Sequence, residues 1–193
     1  MVANLSNAEF LALCLKHGAC DAGIEYLEQS GHDLATFWRT TDKPQWMLWL
    51  IGRQIGIDEW PTPQEFVLAT CACVEPVLKY VPAGEDRPRN AIETARRWCR
   101  GEATLEEVRK AADAVYATTC AAYAAYAAYA ATYAAYAATY AAAAADSAAN
   151  TAYAATYAAY TADAAYTADA AYAPYANMAN IIRQMIPLVE AGR

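Results

Sequence analysis

The sequence lacks the motifs by which many enzymes are recognised. It contains no nucleophile elbow, glycine-rich phosphate-binding loop, dinucleotide fingerprint or H-E-x-x-H metal motif. Glycine is scarce, with eight in the chain and none from residue 102 to 191. The chain has only two histidines, which leaves little for acid–base chemistry near neutral pH. We therefore predict that the protein is not an enzyme and uses no cofactor.

Export and membrane signals are also lacking. The opening MVANLSNAEF has neither the basic start nor the apolar run of a signal peptide. No stretch approaches about 18 consecutive strongly apolar residues, because alanine is only weakly apolar and Thr, Asp and Asn interrupt the Ala/Tyr-rich region. We expect a cytoplasmic protein with no membrane span, whose six cysteines are free thiols in a reducing compartment.

Basic residues and metal-ligand clusters are few. The net charge is −7, which makes general nucleic-acid binding a poor fit because that affinity comes mainly from neutralising phosphates. Cys71 and Cys73 form a C-x-C pair without the second pair or nearby histidines that a zinc site requires. We expect no metal site.

Helix-start signals are abundant in the first 110 residues. Three S/T-x-x-E capping boxes are present, at Ser6 with Glu9, Thr62 with Glu65, and Thr104 with Glu107. The residues that start and end helices predict helices over 7–17, 20–29, 33–40, 44–55, 63–80, 88–100 and 104–144. Pro76 should kink or break the fifth of these helices. No segment alternates like a strand, so the sequence predicts an all-α fold.

Tryptophans mark the most apolar helix. Trp46 and Trp49 are three residues apart and share a helix face. We favour a packed core for this pair, and a ligand-stacking platform is the alternative.

An Ala/Tyr-rich region begins near residue 111. Six tyrosines in it fall within an arc of about 140° on one helix face, and they are Tyr123, Tyr126, Tyr129, Tyr133, Tyr136 and Tyr140. Alanine is the best helix former, so a long helix with a tyrosine stripe is predicted. We expect a break near Asp146 and Asn150, a second helix over 151–172, and a last helix starting at Pro174.

The tyrosine stripe has two interpretations. Tyrosine against small alanine favours close helix packing, with each hydroxyl reaching water at the edge. The alternative is a tyrosine-lined groove for a peptide or an aromatic ligand.

Arginines form the densest charged feature. The set lies on one predicted helix and at its N-terminus, and it comprises Arg87, Arg89, Arg96, Arg97 and Arg100. Arginine forks at a helix N-terminus suit a phosphate or an acidic patch on a partner, so we predict a partner- or anion-binding site. Pairing with neighbouring acids of the same chain is the competing interpretation. Arginines beside tyrosines would also suit a small nucleotide.

The segment from Glu85 to Tyr116 carries a family resemblance. It reads EDRPRNAIETARRWCRGEATLEEVRKAADAVY, an Asp-Arg-Pro-Arg turn followed by an Ala/Arg helix, Gly-Glu and a second Ala-rich helix. This run resembles the immunity proteins of bacterial polymorphic toxin systems, which have related Ala/Tyr-rich proteins in phage-like genomes. The resemblance implies an all-helical, cytoplasmic protein that neutralises a toxin by binding it.

The sequence thus predicts one compact all-α domain, a helical bundle or a short α-solenoid. Residues 1–110 form its N-terminal helical part, and the Ala/Tyr-rich helices of residues 111–193 pack on it. The leading function is a non-catalytic binding protein that resembles a toxin-immunity factor and neutralises a protein partner. One alternative is a phage counter-defence protein that sequesters a nucleotide signal or inhibits a host defence protein. Another is a structural, self-assembling helical protein that forms a homo-oligomer.

Overall fold

A computed structural model of the protein describes residues 5–116, 122–143 and 175–188. Between the last two ranges it also describes residues 153, 154, 156–158, 160, 161 and 164. Within this part of the chain the regular elements are all helical, and no strand is present. The predicted all-α fold class is confirmed.

The N-terminal half is a series of short helices. They are α1 (Asn7–Lys16), α2 (Asp21–Ser30), α3 (Leu34–Thr40), α4 (Pro44–Arg53) and α5 (Pro63–Val74), followed by a 3-10 helix (Glu75–Tyr80). The second half contains α6 (Arg87–Cys99), α7 (Leu105–Tyr116), α8 (Ala122–Ala142) and α9 (Tyr175–Met185). The described residues between 153 and 164 are helical and are called the 153–164 segment.

The three capping boxes predicted from the sequence are formed in the structure. The Ser6 hydroxyl accepts a hydrogen bond from the Glu9 backbone N–H, while the Glu9 carboxylate accepts one from the Ser6 backbone N–H. Thr62 does the same at the start of α5, and so does Thr104 before α7. Each box satisfies backbone N–H groups that a helix start would otherwise leave unpaired.

Proline ends α5 as the sequence predicts. The α-helix stops at Val74, and the next six residues, Glu75–Tyr80, continue as a 3-10 helix with Pro76 in its first turn. Proline has no N–H for the α-helical hydrogen bond, so the tighter 3-10 turn replaces it.

One predicted helix is divided. The sequence predicts a continuous helix over 104–144, but α7 ends at Tyr116 and α8 begins at Ala122, and the two helices pack against each other. The apolar face of α7 is buried at Val108, Ala112 and Val115. A single straight helix would leave much of this face without a partner, so tertiary burial outweighs local helix propensity here.

Alanines place α8 at the centre of the second half. Buried alanines of α8 carry no accessible surface, and they are Ala134, Ala135, Ala137, Ala138 and Ala141. The helix packs against α5, α6 and α7. Small side chains let helix backbones approach closely, which is why a helix so poor in large apolar residues can be buried.

The C-terminal helix closes the structure against the N-terminal half. α9 packs on α4 and α5, with Met178, Ala179 and Ile182 buried. Within the described ranges, no helix combines the length and the apolarity that a bilayer crossing requires.

Candidate functional site

Two arginines of the predicted binding site connect α6 to the 3-10 helix. Arg89 Nη2 donates to the carbonyl of Leu78 at 2.8 Å. Arg96 Nη2 donates to Glu75 Oε2 at 2.7 Å, and this hydrogen bond lowers the pKa of the Glu75 carboxyl. Both arginines therefore join α6 to the segment that follows α5.

The other three arginines bond to nearby residues of the same chain. Arg97 Nη2 donates to the carbonyl of Glu102 at 2.8 Å. Arg87 pairs with Glu85, and Arg100 pairs with Glu93 at 3.0 Å and with Glu102 at 2.9 Å. The side chains of Arg87 and Arg100 remain nearly half exposed. Exposed pairs of this kind contribute little to stability because water screens them, so a partner's carboxylate could replace them.

The described part of the tyrosine stripe packs against other tyrosines. The Tyr140 ring stacks on Tyr157 with centroids 5.5 Å apart and an interplanar angle of 5°, and Tyr136 lies 5.3 Å from Tyr157. Tyr133 lies 5.6 Å from Tyr160. These rings join α8 to the 153–164 segment, as helix packing requires.

The rest of the stripe is only partly described. The Tyr136 hydroxyl donates to Asp113 Oδ1 at 2.7 Å, which ties α8 to α7. The side chains of Tyr123, Tyr126 and Tyr129 lie outside the described residues. The groove predicted along the six tyrosines of the stripe stays a prediction.

A cavity of about 430 Å³ lies among α1, α2, α4 and the 153–164 segment. We call it the N-terminal cavity. Its wall is mainly apolar and aromatic, formed by Phe10, Leu27, Trp46, Trp49, Leu50 and Tyr160. The volume lies within the range of about 300–1,000 Å³ that is usual for ligand pockets.

The structure places the two tryptophans of α4 both against the core and at the wall of a cavity. Trp46 and Trp49 are half-buried and pack against the core, and they also line the N-terminal cavity. Their spacing was the one sequence signal for this site. The cavity's other sides come from helices far apart in sequence, so the sequence did not reveal it.

A second cavity of about 390 Å³ lies between the 3-10 helix and α9. It is lined by Pro76, Val77 and several α9 side chains that include Asn177 and Gln184. Neither cavity is lined by an arginine of α6. The α6 arginines therefore do not combine with aromatic rings in either of these cavities.

The buried thiols are poor nucleophiles. Burial raises the pKa of Cys14, Cys71 and Cys73 to about 12, so these cysteines carry neutral thiols near pH 7. Across the residues with described positions, no group of three His, Cys, Asp or Glu side chains is arranged to hold a metal ion.

Comparison with known families identifies the chain's relatives. The sequence model of the family described as "Imm-5 like putative immunity protein" matches residues 64–185, well over half of the chain. The chain belongs to this family. Membership in the Imm-5-like family supports an immunity-like role, and the matched range contains the resembling segment from Glu85 to Tyr116. No curated protein and no solved structure matches the chain.

The Imm-5-like match divides the candidate surfaces into two groups. The α6 arginines and the tyrosine rings lie inside residues 64–185. The N-terminal cavity is built mainly by α1, α2 and α4, which precede the matched range, and is completed by Thr156 and Tyr160 from within it. The cavity is therefore formed mainly by helices that precede the matched range.

Proposed function

We propose that the protein neutralises a protein toxin by binding it, without catalysing a reaction. Membership in the Imm-5-like family carries this proposal. An immunity protein acts by occupying its partner, so it needs an accessible surface with displaceable contacts and no reactive centre.

The exposed arginines of α6 are the contact surface that we propose within the family region. Arg87 and Arg100 hold acids of their own chain through exposed ion pairs. A partner carboxylate in a drier interface can replace these acids, because Coulomb attraction strengthens as water is excluded. Arginine also forms bidentate contacts and is enriched at interface hot spots.

A growth assay tests the proposed function. A toxin encoded beside this protein's gene is induced in a bacterial host with and without the protein. We expect growth to be rescued by the wild type, and to be rescued less by Arg100→Glu. Rescue by Arg109→Glu should equal the wild type, since Arg109 is an exposed arginine on α7 that pairs with Glu106 in the same way. The proposal fails if the wild type gives no protection.

A further inference from the structure

The N-terminal cavity carries a further inference, which starts from its aromatic wall. Trp46, Trp49 and Tyr160 line it together, and Tyr160 is 50% exposed although its ring contacts Tyr133. Large rings with accessible edges and faces at a cavity favour an aromatic occupant, because ring pairs stabilise each other beyond simple burial.

Positive charge lies beside this wall. The Arg53 guanidinium carbon is 5.5 Å from the centroid of the Trp49 ring. Among the described residues, no carboxylate pairs with Arg53, and its Nε is buried without a hydrogen-bond acceptor. Arg53 thus provides a cation beside the aromatic wall, on a chain with a net charge of −7.

A hydrogen-bond acceptor is also present at the cavity. Gln45 lines it, and Gln45 Oε1 is buried without a donor from any described residue. An unpaired buried polar atom is unfavourable, because it has lost its hydrogen bonds to water without gaining others. The terminal torsion of glutamine is broad, so a modest rotation of the carboxamide presents this oxygen to an N–H group in the cavity.

We propose that the N-terminal cavity receives a tryptophan side chain of the partner protein, next to an acidic residue of the same partner segment. The indole ring packs between Trp46, Trp49 and Tyr160. Its N–H donates to Gln45 Oε1, and the neighbouring carboxylate pairs with Arg53. A carboxylate pairs with the positive charge, and a lysine in its place would be repelled.

This inference rests on the proposed function for the existence of a protein partner, and it adds the chemistry of the contact. The helices that build the cavity lie mainly outside the family match. Aromatic anchors in pockets are typical of the residues that dominate interface affinity.

Peptide titration of the whole ¹⁵N-labelled protein tests the cavity directly. The probes are three acetylated, amidated tripeptides: Glu-Trp-Glu, Lys-Trp-Lys and Glu-Ala-Glu. The readout is the indole N–H signals of the protein's five tryptophans. We expect Glu-Trp-Glu to shift the signals of Trp46 and Trp49 saturably, with Trp98 as the internal control. Lys-Trp-Lys should bind at least about fivefold more weakly, and the difference should shrink in salt.

Two variants make the site assignment specific. A Cβ added at Gly23 would lie 4.0 Å from Trp46 Cε2 and 3.5 Å from Cys20 Sγ, so Gly23→Leu extends a side chain from the cavity wall. We expect this variant to lose Glu-Trp-Glu binding while it keeps its helical circular dichroism spectrum. Arg53→Gln should bring the affinities for Glu-Trp-Glu and Lys-Trp-Lys close together. The proposal is overturned if Glu-Trp-Glu gives no saturable shift at Trp46 and Trp49, or if Lys-Trp-Lys binds equally well.

Gly23→Leu also distinguishes a failure of the cavity proposal from a failure of the proposed function. If the neighbouring toxin binds wild type and folded Gly23→Leu equally, the cavity proposal fails and neutralisation stands. If the acidic tryptophan peptide binds in the cavity but the toxin binds neither protein, neutralisation fails and the peptide site stands.

Discussion

At the scale of single residues, Arg183 connects parts of the chain that are far apart in sequence. Its Nε donates to the carbonyl of Trp38 at 2.7 Å, and its Nη2 donates to the carbonyl of Thr41. Nη1 donates to Asn180 Oδ1 at 2.8 Å within α9. The two carbonyls belong to the C-terminal end of α3, where a helix leaves acceptors unpaired and favours positive charge.

Replacing Arg183 should loosen α9 from the N-terminal half. We expect Arg183→Lys to lower the free energy of unfolding by about 1–2 kcal/mol, because lysine keeps the charge but cannot donate to both carbonyls with a planar fork. Chemical denaturation followed by circular dichroism measures this. The exposed neighbour change Gln184→Ala should alter the free energy by less than about 0.5 kcal/mol. Equal effects of the two changes would contradict the assigned role.

Carboxylates determine how stability responds to acid. The hydrogen bond from Arg96 lowers the pKa of Glu75 below its usual value of 4.5, and the bonds from Ser6 and Thr104 lower those of Glu9 and Glu107. A carboxyl whose pKa is lower in the folded state stabilises the fold above its unfolded pKa and loses that contribution as pH falls through its folded pKa.

The protein should therefore lose stability as pH falls below about 4.5. Glu75→Gln should reduce the pH dependence of the unfolding free energy in that window, because the glutamine cannot take up a proton. Urea unfolding at a series of pH values provides the measurement. An unchanged pH slope in Glu75→Gln would show that the Arg96 pair does not contribute.

Local residue patterns could be predicted from the sequence, whereas distant contacts could not. The capping boxes depend on residues three apart, so Ser6 with Glu9 was readable directly. The Arg183 contacts join residues more than 140 positions apart. The α6 arginines were visible as a set, but their acceptors on the 3-10 helix depend on how that helix docks.

At the scale of helices, tyrosines that recur every three or four residues among alanines give α8 two different faces. Alanines are fully buried against α5, α6 and α7. Tyrosines meet the 153–164 segment, where Tyr157 contacts the rings of Tyr133, Tyr136 and Tyr140. The two faces allow a helix of small residues to be held from both sides.

Tyr157 is the centre of this ring cluster, so its loss should cost more than the loss of an outer ring. We expect Tyr157→Ala to lower the free energy of unfolding by about 1–3 kcal/mol, less than for a fully buried aromatic because Tyr157 is half-buried. Tyr153→Ala should cost less, since Tyr153 is 52% exposed and contacts Tyr140. Thermal or urea unfolding compares the two variants. A larger loss in Tyr153→Ala would contradict the packing that we describe.

Helix existence was easier to predict than helix pairing. Alanine content and capping signals predicted helical structure through residues 104–144. The division into α7 and α8 was missed, because burial of Val108 and Val115 against α8 is a tertiary effect with no glycine or proline to mark it. The spacing of Trp46 and Trp49 indicated that they share a helix face. That this face lines a cavity depends on where α1 and α2 pack, which the spacing does not show.

At the scale of the whole molecule, the family region and the N-terminal helices supply different surfaces. The family region carries the exposed arginines of α6, and the helices before it build most of the N-terminal cavity. A partner that engaged both would be held by charge on one surface and by an aromatic anchor on the other. Two such surfaces would suit the protein partner that membership in the family implies.

Native mass spectrometry of the purified protein mixed with the toxin encoded beside its gene tests the central claim most directly. The account predicts a stoichiometric complex of the two chains at low micromolar concentration, weakened in Arg100→Glu and unchanged in Arg109→Glu. A protein that stays free of the toxin, or that appears only as a homo-oligomer with nothing else attached, would contradict neutralisation by binding and would favour a structural role.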